Sequence, residues 1–468
     1  MNRRIFLKHS STILASMSIA GCFETDSCTK LYEPKQPNFL LIIADDMTYT
    51  DLGCYGNKQV RTPNLDKLAK QSLKFNYCFN SAPMCAPTRM SLYTAIHPVR
   101  NGAHPNHSKV YPDIKSMPHY LSNLGYHCAL IGKKHYKPEK NFPFKYLGGR
   151  NHDNGDNGTD LLISKAHDFF KDNKSKPWCL VVASNQPHTP WNRGDPSQYK
   201  ASELTLPPYM VDTPETRQAM TKYYAEITYL DDQVGQVLAG LEKSGQTENT
   251  LVVFLSEQGS TYPHCKWTCY ETGLGSACLL RWPGITKPET STDAMIQYID
   301  ILPTFIEAAG GDPTKLDFDG KSIVALLKGK TNKHRDYTFG IQTSKGIIAG
   351  PKAYGIRSVR DKQYRLIWNL NYDTQFQNTV TKNFAPYLSW QTKANTGDTF
   401  AQQQYDRYKN RPEFELYDLV NDPYEMTNII NNSEHKTKIA ELKKQLHQWM
   451  TQQNDKGIET EKQALTRQ

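Results

Sequence analysis

The chain has 468 residues, 38% hydrophobic and 22% charged, the make-up of a soluble globular protein long enough for a large α/β domain and a smaller second one. Its formal net charge of +9 comes from 56 basic and 47 acidic residues, with no Lys/Arg tract interleaved with aromatics. That balance favours an anionic ligand and argues against nucleic acid, and past the leader no run approaches the ~20 apolar residues of a membrane span.

Residues 1–22 read as an export signal and are set aside from the fold. "NRRIFLKHS" pairs two arginines with Phe6, Leu7 and Lys8, as twin-arginine signals do, and "SIAGC" resembles a bacterial lipobox ending at Cys22. Without Arg3, Arg4 and Lys8 the balance is 53 basic against 47 acidic residues. The expectation is an exported bacterial lipoprotein, periplasmic or anchored to the outer membrane, touching the membrane only through its lipid. Residues 23–36 are its tether.

Next comes "NFLLIIADD" (38–46), an unbroken apolar run that stops at Asp45 and Asp46. A helical stretch, "TPNLDKLAKQSL", leads to "SAPMCAPTRMSLYTA" (81–95), read as loop then helix, with Pro87 tolerated in the first turn. Cys85 then stands at a helix N-terminus, where amides and dipole favour an anion, and Arg89 lies one turn on along the same face. Three more runs repeat the first pattern. "HCALIGKKH" (127–135) stops at Lys133, Lys134 and His135, "CLVVASNQPH" (179–188) ends near His188, and "TLVVFLSEQG" (250–259) ends at Glu257 and Gln258. Short Val/Ile/Leu runs without alternation mark strands buried on both faces, and "TKYYAEITYLDDQVGQVLAGLEKSG" supplies a helix between two of them. The fold expected is α/β: a large mixed, mostly parallel sheet sandwiched by helices, with a smaller C-terminal α+β subdomain.

In such sheets ligands sit beyond the carboxyl ends of the strands, where all four runs place their polar residues. Paired acids after a buried strand need a positive partner, and a divalent cation is the simplest. Asp45, Asp46, Glu257 and Gln258 offer only oxygen, which suits Ca²⁺ or Mg²⁺ better than zinc. Arg89, Lys133 and Lys266 would hold an anionic substrate against Cys85. The other cysteines are irregularly spaced; Cys265 and Cys269 could pair or simply pack.

After "YIDILPTFIEAAGG" and "DFDGKSIVALLKGK" the texture changes. Residues 37–336 are taken as the catalytic domain and 337–455 as the subdomain, with strands at "YGIRSV", "QYRLIWNL" and "FELYDL" and a terminal helix. "NYDTQFQNTVTKNFAPYLSWQTKANTGDTF" is read as a long aromatic loop, and 456–468 as a loose tail.

"CAPTR" is similar to the Cys-x-Pro-Ser/Thr-Arg element of type I sulfatases, members of the alkaline phosphatase superfamily. "ADDMTYTDLGCYGN", "TPNLDKLA", "GYHCALIGKKH", "QPHTP", "KWTCYETG" and "ELYDLVNDPYE" look like further family blocks in their usual order, across about residues 37–450. "IGKKHYKPEKNFPF", "IRSVRDKQYRLIWNLNY" and "ELYDLVNDPYEMTNI" look most like sulfamidases, which act on N-sulfoglucosamine in heparan sulfate. The resemblance implies that a formylglycine-generating enzyme oxidises Cys85 to formylglycine, whose hydrate is the nucleophile. It implies Asp45, Asp46, residue 85, Glu257 and Gln258 as calcium ligands and Arg89 as the holder of the diol. Lys133, His135 and Lys266 would contact sulfate and handle protons, and His188 would serve the leaving group as general acid. Glu257 and Gln258 depart from the family's usual Asp-Asn or Asp-His pair, each one methylene longer. The expected substrate is a sulfated oligo- or polysaccharide. The rival readings are an O-sulfatase on another polysaccharide, a phosphodiesterase or phosphonate hydrolase of the same superfamily, and a glycan-binding lipoprotein with Cys85 unmodified.

Overall fold

The computed structural model describes residues 36–149 and 160–467. The export signal, the lipobox with Cys22, Cys28 and nearly all of the tether fall outside the described residues. In chain order the strands are β1 (Asn38–Ile43), β2 (Leu73–Phe75), β3 (Cys78–Phe79), β4 (His127–Gly132), β5 (Lys145–Tyr146), β6 (Trp178–Ala183), β7 (Thr250–Leu255), β8 (Cys278–Arg281), β9 (Thr290–Thr292), β10 (Ile296–Gln297), β11 (Thr338–Thr343), β12 (Gly355–Arg360), β13 (Tyr364–Asn369) and β14 (Phe414–Asp418). Eight of them form the main sheet in the order β5-β4-β6-β1-β7-β8-β2-β9, in which only β8 runs against its neighbours.

The four apolar runs of the sequence are β4, β6, β1 and β7, four adjacent parallel strands. Their last residues lie in one row: Gly132 beside Ala183, Ala183 beside Ile43, Ile43 beside Leu255. Both faces are covered. Leu40 and Ile42 share one core with Tyr223, Ile227, Leu230 and Val234 of helix Pro214–Lys243. Phe39, Leu41 and Ile43 share the other with Met90 and Tyr93 of helix Cys85–Thr94 and Leu302 and Phe305 of helix Ile301–Ala308. Burial of each such side chain is worth about 1.5–3 kcal/mol, enough to fix the register although charged residues follow at once. Gly132 ends β4 at φ +91°, where a Cβ would come within 2.0 Å of the Ala183 carbonyl oxygen. Only glycine fits, and the turn it makes carries Lys133 inward.

The expected C-terminal sheet is present as an antiparallel β11-β12-β13-β14, with helix Lys436–Gln452 against it. Two expectations fail. The long aromatic loop is largely helical: Thr379–Asn383, Ala385–Asn395 and Thr399–Lys409. Asn378 and Asp398 cap two of these helices, and Trp390 Nε1 donates to Thr216 Oγ1 of helix Pro214–Lys243 at 2.9 Å. The tail is not loose. Its helix Ile458–Ala464 buries Glu461, which meets Arg357 of β12 at 2.9 Å and accepts from Thr343 Oγ1 at 3.0 Å, while Asp455 also pairs with Arg357. The eight cysteines of the described residues are all free, Cys265 and Cys269 included.

Truncation after Asn454 would strand the fully buried Arg357 guanidinium, and breaking a buried pair this way costs about 3–5 kcal/mol. The truncated protein is expected to melt well below the full chain, and a truncation that also carries Arg357→Met to recover part of the loss, in differential scanning calorimetry.

Candidate active site

Just past the row of strand ends, backbone strain gathers. Asp46 (φ 61°), His135 (φ 44°) and Glu257 (φ 63°) all occupy the left-handed region, at roughly 1–3 kcal/mol each. The surroundings hold them there. Asp45 N donates to Gln186 O at 2.9 Å, and Asn80 Nδ2 and Tyr298 OH both donate to Glu257 O at 3.2 Å. Lys266 N is tied to Ser260 O at 2.9 Å, and Trp267 N to Pro83 O, two residues before Cys85, at 2.9 Å. Cys85 opens its helix after the extended Met84, so its side chain faces the strand ends.

The side chains interlock. Lys133 Nζ pairs with Asp45 Oδ2, and Lys266 Nζ with Asp46 Oδ2 at 2.5 Å. Arg89 Nε lies 2.5 Å from Glu257 Oε1, and its Nη2 lies 3.7 Å from Asp45 Oδ1. His188 Nε2 is 3.4 Å from Asp46 Oδ2. Gln258 Nε2 reaches both Asp46 Oδ1 (2.5 Å) and Cys85 Sγ (3.1 Å). Asp45, Asp46, Arg89, Lys133, Glu257 and Gln258 are all within 1% of complete burial.

Burial opposes every one of these charges, and the partners decide which survive. Against burial, Lys133 and Arg89 hold the Asp45 carboxyl well below the usual range, and Lys266 lowers that of Asp46. Burial and the neighbouring Asp45 push Glu257 up despite Arg89, so of this close pair Asp45 carries the negative charge. Burial lowers His188 in spite of Asp46, leaving a neutral imidazole. Burial pushes the Cys85 thiol up to about 12, over the opposing pull of Lys133 and Lys266. An unmodified Cys85 is therefore a poor nucleophile at neutral pH.

The donor set fits a hard cation. One ligand atom from each of Asp45, Asp46, Cys85 and Glu257 lies within 4.8 Å of all the others. Glu257 Oε2 and Gln258 Oε1 are buried acceptors with no hydrogen-bond donor among the described residues. Oxygens left in this state invite a divalent ion, and the extra methylenes of Glu257 and Gln258 do not move them out of reach of the aspartates.

Nine of the ten residues singled out in the sequence meet in this cluster. His135 stands beside it, its Nε2 2.9 Å from Nδ1 of His107. Lys134, at the same strand end, turns away to pair with Glu139 and cover Tyr146. The sequence reading missed His107 and Asn106. Asn106 Oδ1 accepts from Ala86 N at 3.3 Å, next to Cys85. Their only signal is the polar cluster "HPNHS", in a loop without periodicity.

The sulfatase family model matches residues 37–311, and a model described as the C-terminal part of N-sulphoglucosamine sulphohydrolase matches residues 263–379. An "Ulvan-active sulfatase" of Formosa agariphila is 33% identical over 425 residues, covering 90% of this chain and 81% of the relative. The human "N-sulphoglucosamine sulphohydrolase" is 28% identical over 473 residues, covering 90% and 91%. A solved structure described as a complex with its substrate D-glucosamine-2-N,6-O-disulfate shares the fold at a TM-score of 0.67 and 20% identity, covering 91% of this chain and 99% of that one.

Calcium at 100 times its Kd would add about 2.7 kcal/mol to stability. The melting temperature of the wild type is expected to fall in EDTA and recover in CaCl₂, whereas Asp46→Asn loses most of that dependence. A melting temperature indifferent to EDTA, Ca²⁺ and Mg²⁺ alike contradicts the cation site.

Proposed function

This chain belongs to the sulfatase family and is a sulfuric ester hydrolase, and on that premise we propose that it removes sulfate from a sulfated glycan using residue 85 as formylglycine. The observation that carries this reading is the placement of Cys85 at a helix N-terminus inside a buried knot of acids and cations, where an unmodified thiol stays protonated. Conversion to formylglycine replaces the thiol with an aldehyde that hydrates to a geminal diol.

One diol hydroxyl would attack sulfur as the bond from sulfur to the glycan oxygen or nitrogen breaks, and that hydroxyl's proton would reach the departing atom by way of His188, which serves the leaving group as its acid. The second hydroxyl then yields its proton, for which His135 is assigned; the bond from carbon to the sulfate oxygen breaks, sulfate leaves and the aldehyde returns. Arg89 orients the diol. Lys133 and Lys266, now lying on Asp45 and Asp46, face the sulfate oxygens once those carboxylates have another partner. Asp45, Asp46, residue 85, Glu257 and Gln258 would hold a calcium ion, or magnesium as the other candidate, which would supply charge neutralisation at the nucleophile and the sulfuryl group.

Two substrates have support. The match to the C-terminal model of N-sulphoglucosamine sulphohydrolase favours N-sulfoglucosamine of heparan or heparin. The 33% identity to an ulvan-active enzyme favours an O-sulfated polysaccharide. Chromatography of N-sulfated and O-sulfated oligosaccharides after incubation separates them; release of O-linked sulfate alone rules out the sulfamidase assignment. The twin-arginine leader and lipobox support a lipid-anchored exported enzyme that meets such glycans outside the cytoplasm.

In active enzyme the peptide containing residue 85 is expected to show loss of H₂S and gain of one oxygen, and Cys85→Ala is expected to release no sulfate. Full activity with an intact thiol contradicts the mechanism. Lys266→Ala is expected to lower kcat by about 10²–10³, the usual cost of one charge-stabilising donor. His188→Ala should slow glycan sulfates far more than 4-nitrophenyl sulfate, whose leaving group needs no proton; equal losses would remove His188 as the acid. Bis(4-nitrophenyl) phosphate should turn over more slowly than the aryl sulfate.

A further inference from the structure

A cavity of about 600 Å³ lies against His107 and is lined by Lys345, Ile347, Lys352 and Leu465 among others. That volume suits a saccharide-sized group. No carboxylate lines it, and neither lysine has an ion-pair partner among the described residues. A short chain of contacts joins it to the nucleophile. Lys345 O accepts from Asn106 N at 3.2 Å, and Asn106 Oδ1 accepts from Ala86 N, the residue after Cys85. Gly346 packs so close that a Cβ would meet the Asn106 carbonyl oxygen at 2.0 Å, so this loop is pinned against the site. On its other side His107 bonds His135. His107 lines the cavity and Asn106, its neighbour in the chain, bonds the residue after Cys85, so one loop touches both.

A separate groove differs. Beside Thr189 it is lined by Trp191, Phe384 and Pro386, with one cation, Lys222, and one carboxylate, Glu215. Of the two, only the cavity at His107 presents cations with no acid in its lining.

We propose that Lys345 and Lys352 bind a second anionic group of the substrate, a sulfate or a carboxylate carried on the sugars around the scissile sulfate. This rests on the sulfatase reading and specifies its substrate class as a saccharide with at least two negative groups. An ammonium is a point charge that takes either oxyanion, so the two sources share one chemistry.

The test compares the wild type with the Lys345→Ala/Lys352→Ala variant on three probes: 4-nitrophenyl sulfate, glucosamine-2-N,6-O-disulfate, and a disaccharide of N-sulfoglucosamine linked to a uronate. The variant is expected to keep kcat/KM on the aryl sulfate within about twofold, which also shows that it folds. It is expected to raise KM about tenfold or more on at least one saccharide with kcat little changed, and Lys345→Arg/Lys352→Arg should restore KM. A rise confined to the disulfate assigns the group as sulfate; one confined to the uronate disaccharide assigns it as carboxylate. Unchanged KM on both saccharides, or an equal loss on all three probes, overturns the subsite. No sulfate release from any probe by the wild type instead refutes the sulfatase proposal, and the subsite with it.

Discussion

The structure depends on keeping like charges together out of water. Asp45 and Asp46 sit at the end of one strand and Glu257 at the end of its neighbour with essentially no solvent contact, and each carboxylate that stays charged there costs several kcal/mol unless opposite charge is close. Lys133, Lys266 and Arg89 supply it from three other segments. Neither set is tolerable without the other, so strand ends, helix Cys85–Thr94 and the 260s loop are bound into one arrangement. The same compensation recurs where Arg357 holds the terminal helix through Asp455 and Glu461.

The parallel sheet turns this constraint into a site. Because β4, β6, β1 and β7 end in one row, residues up to 220 apart in sequence, such as Asp46 and Lys266, arrive within hydrogen-bonding distance. Helix Cys85–Thr94, packed on one face of that sheet through Met90 and Tyr93, delivers its first residue to the same place. Strain at Asp46, His135 and Glu257 is then a local cost offset by some of the best-buried packing in the chain.

The parts legible in the sequence were those with an abrupt change of character. Apolar runs that stop dead at Asp45, Lys133, His188 or Glu257 announce both a buried strand and a loaded carboxyl end. "CAPTR" fixes a helix start by proline chemistry and places Arg89 by periodicity. What stayed hidden depends on distant partners. The helices between 379 and 409 bury Tyr387, Trp390 and Tyr408 against one another and against helix Pro214–Lys243, so nothing local distinguishes them from an aromatic loop. The terminal helix looks too polar to be ordered until Arg357 is seen facing Glu461. β11 carries Gly340 and a buried Gln342, which blur its alternation. Asn106 and His107 belong to a loop whose meaning comes only from its contact with Ala86.

The central claim, that these strand ends and residue 85 surround one cation that grips a sulfuryl group, is tested most directly by a crystal structure grown with Ca²⁺ and a sulfate ester, using anomalous scattering to identify the ion. The account predicts one calcium within about 2.3–2.6 Å of oxygens from Asp45, Asp46, Glu257 and Gln258, with Lys133 and Lys266 turned to the sulfate. An ion bound elsewhere, or sulfate bound while both lysines still lie on the aspartates, would contradict it.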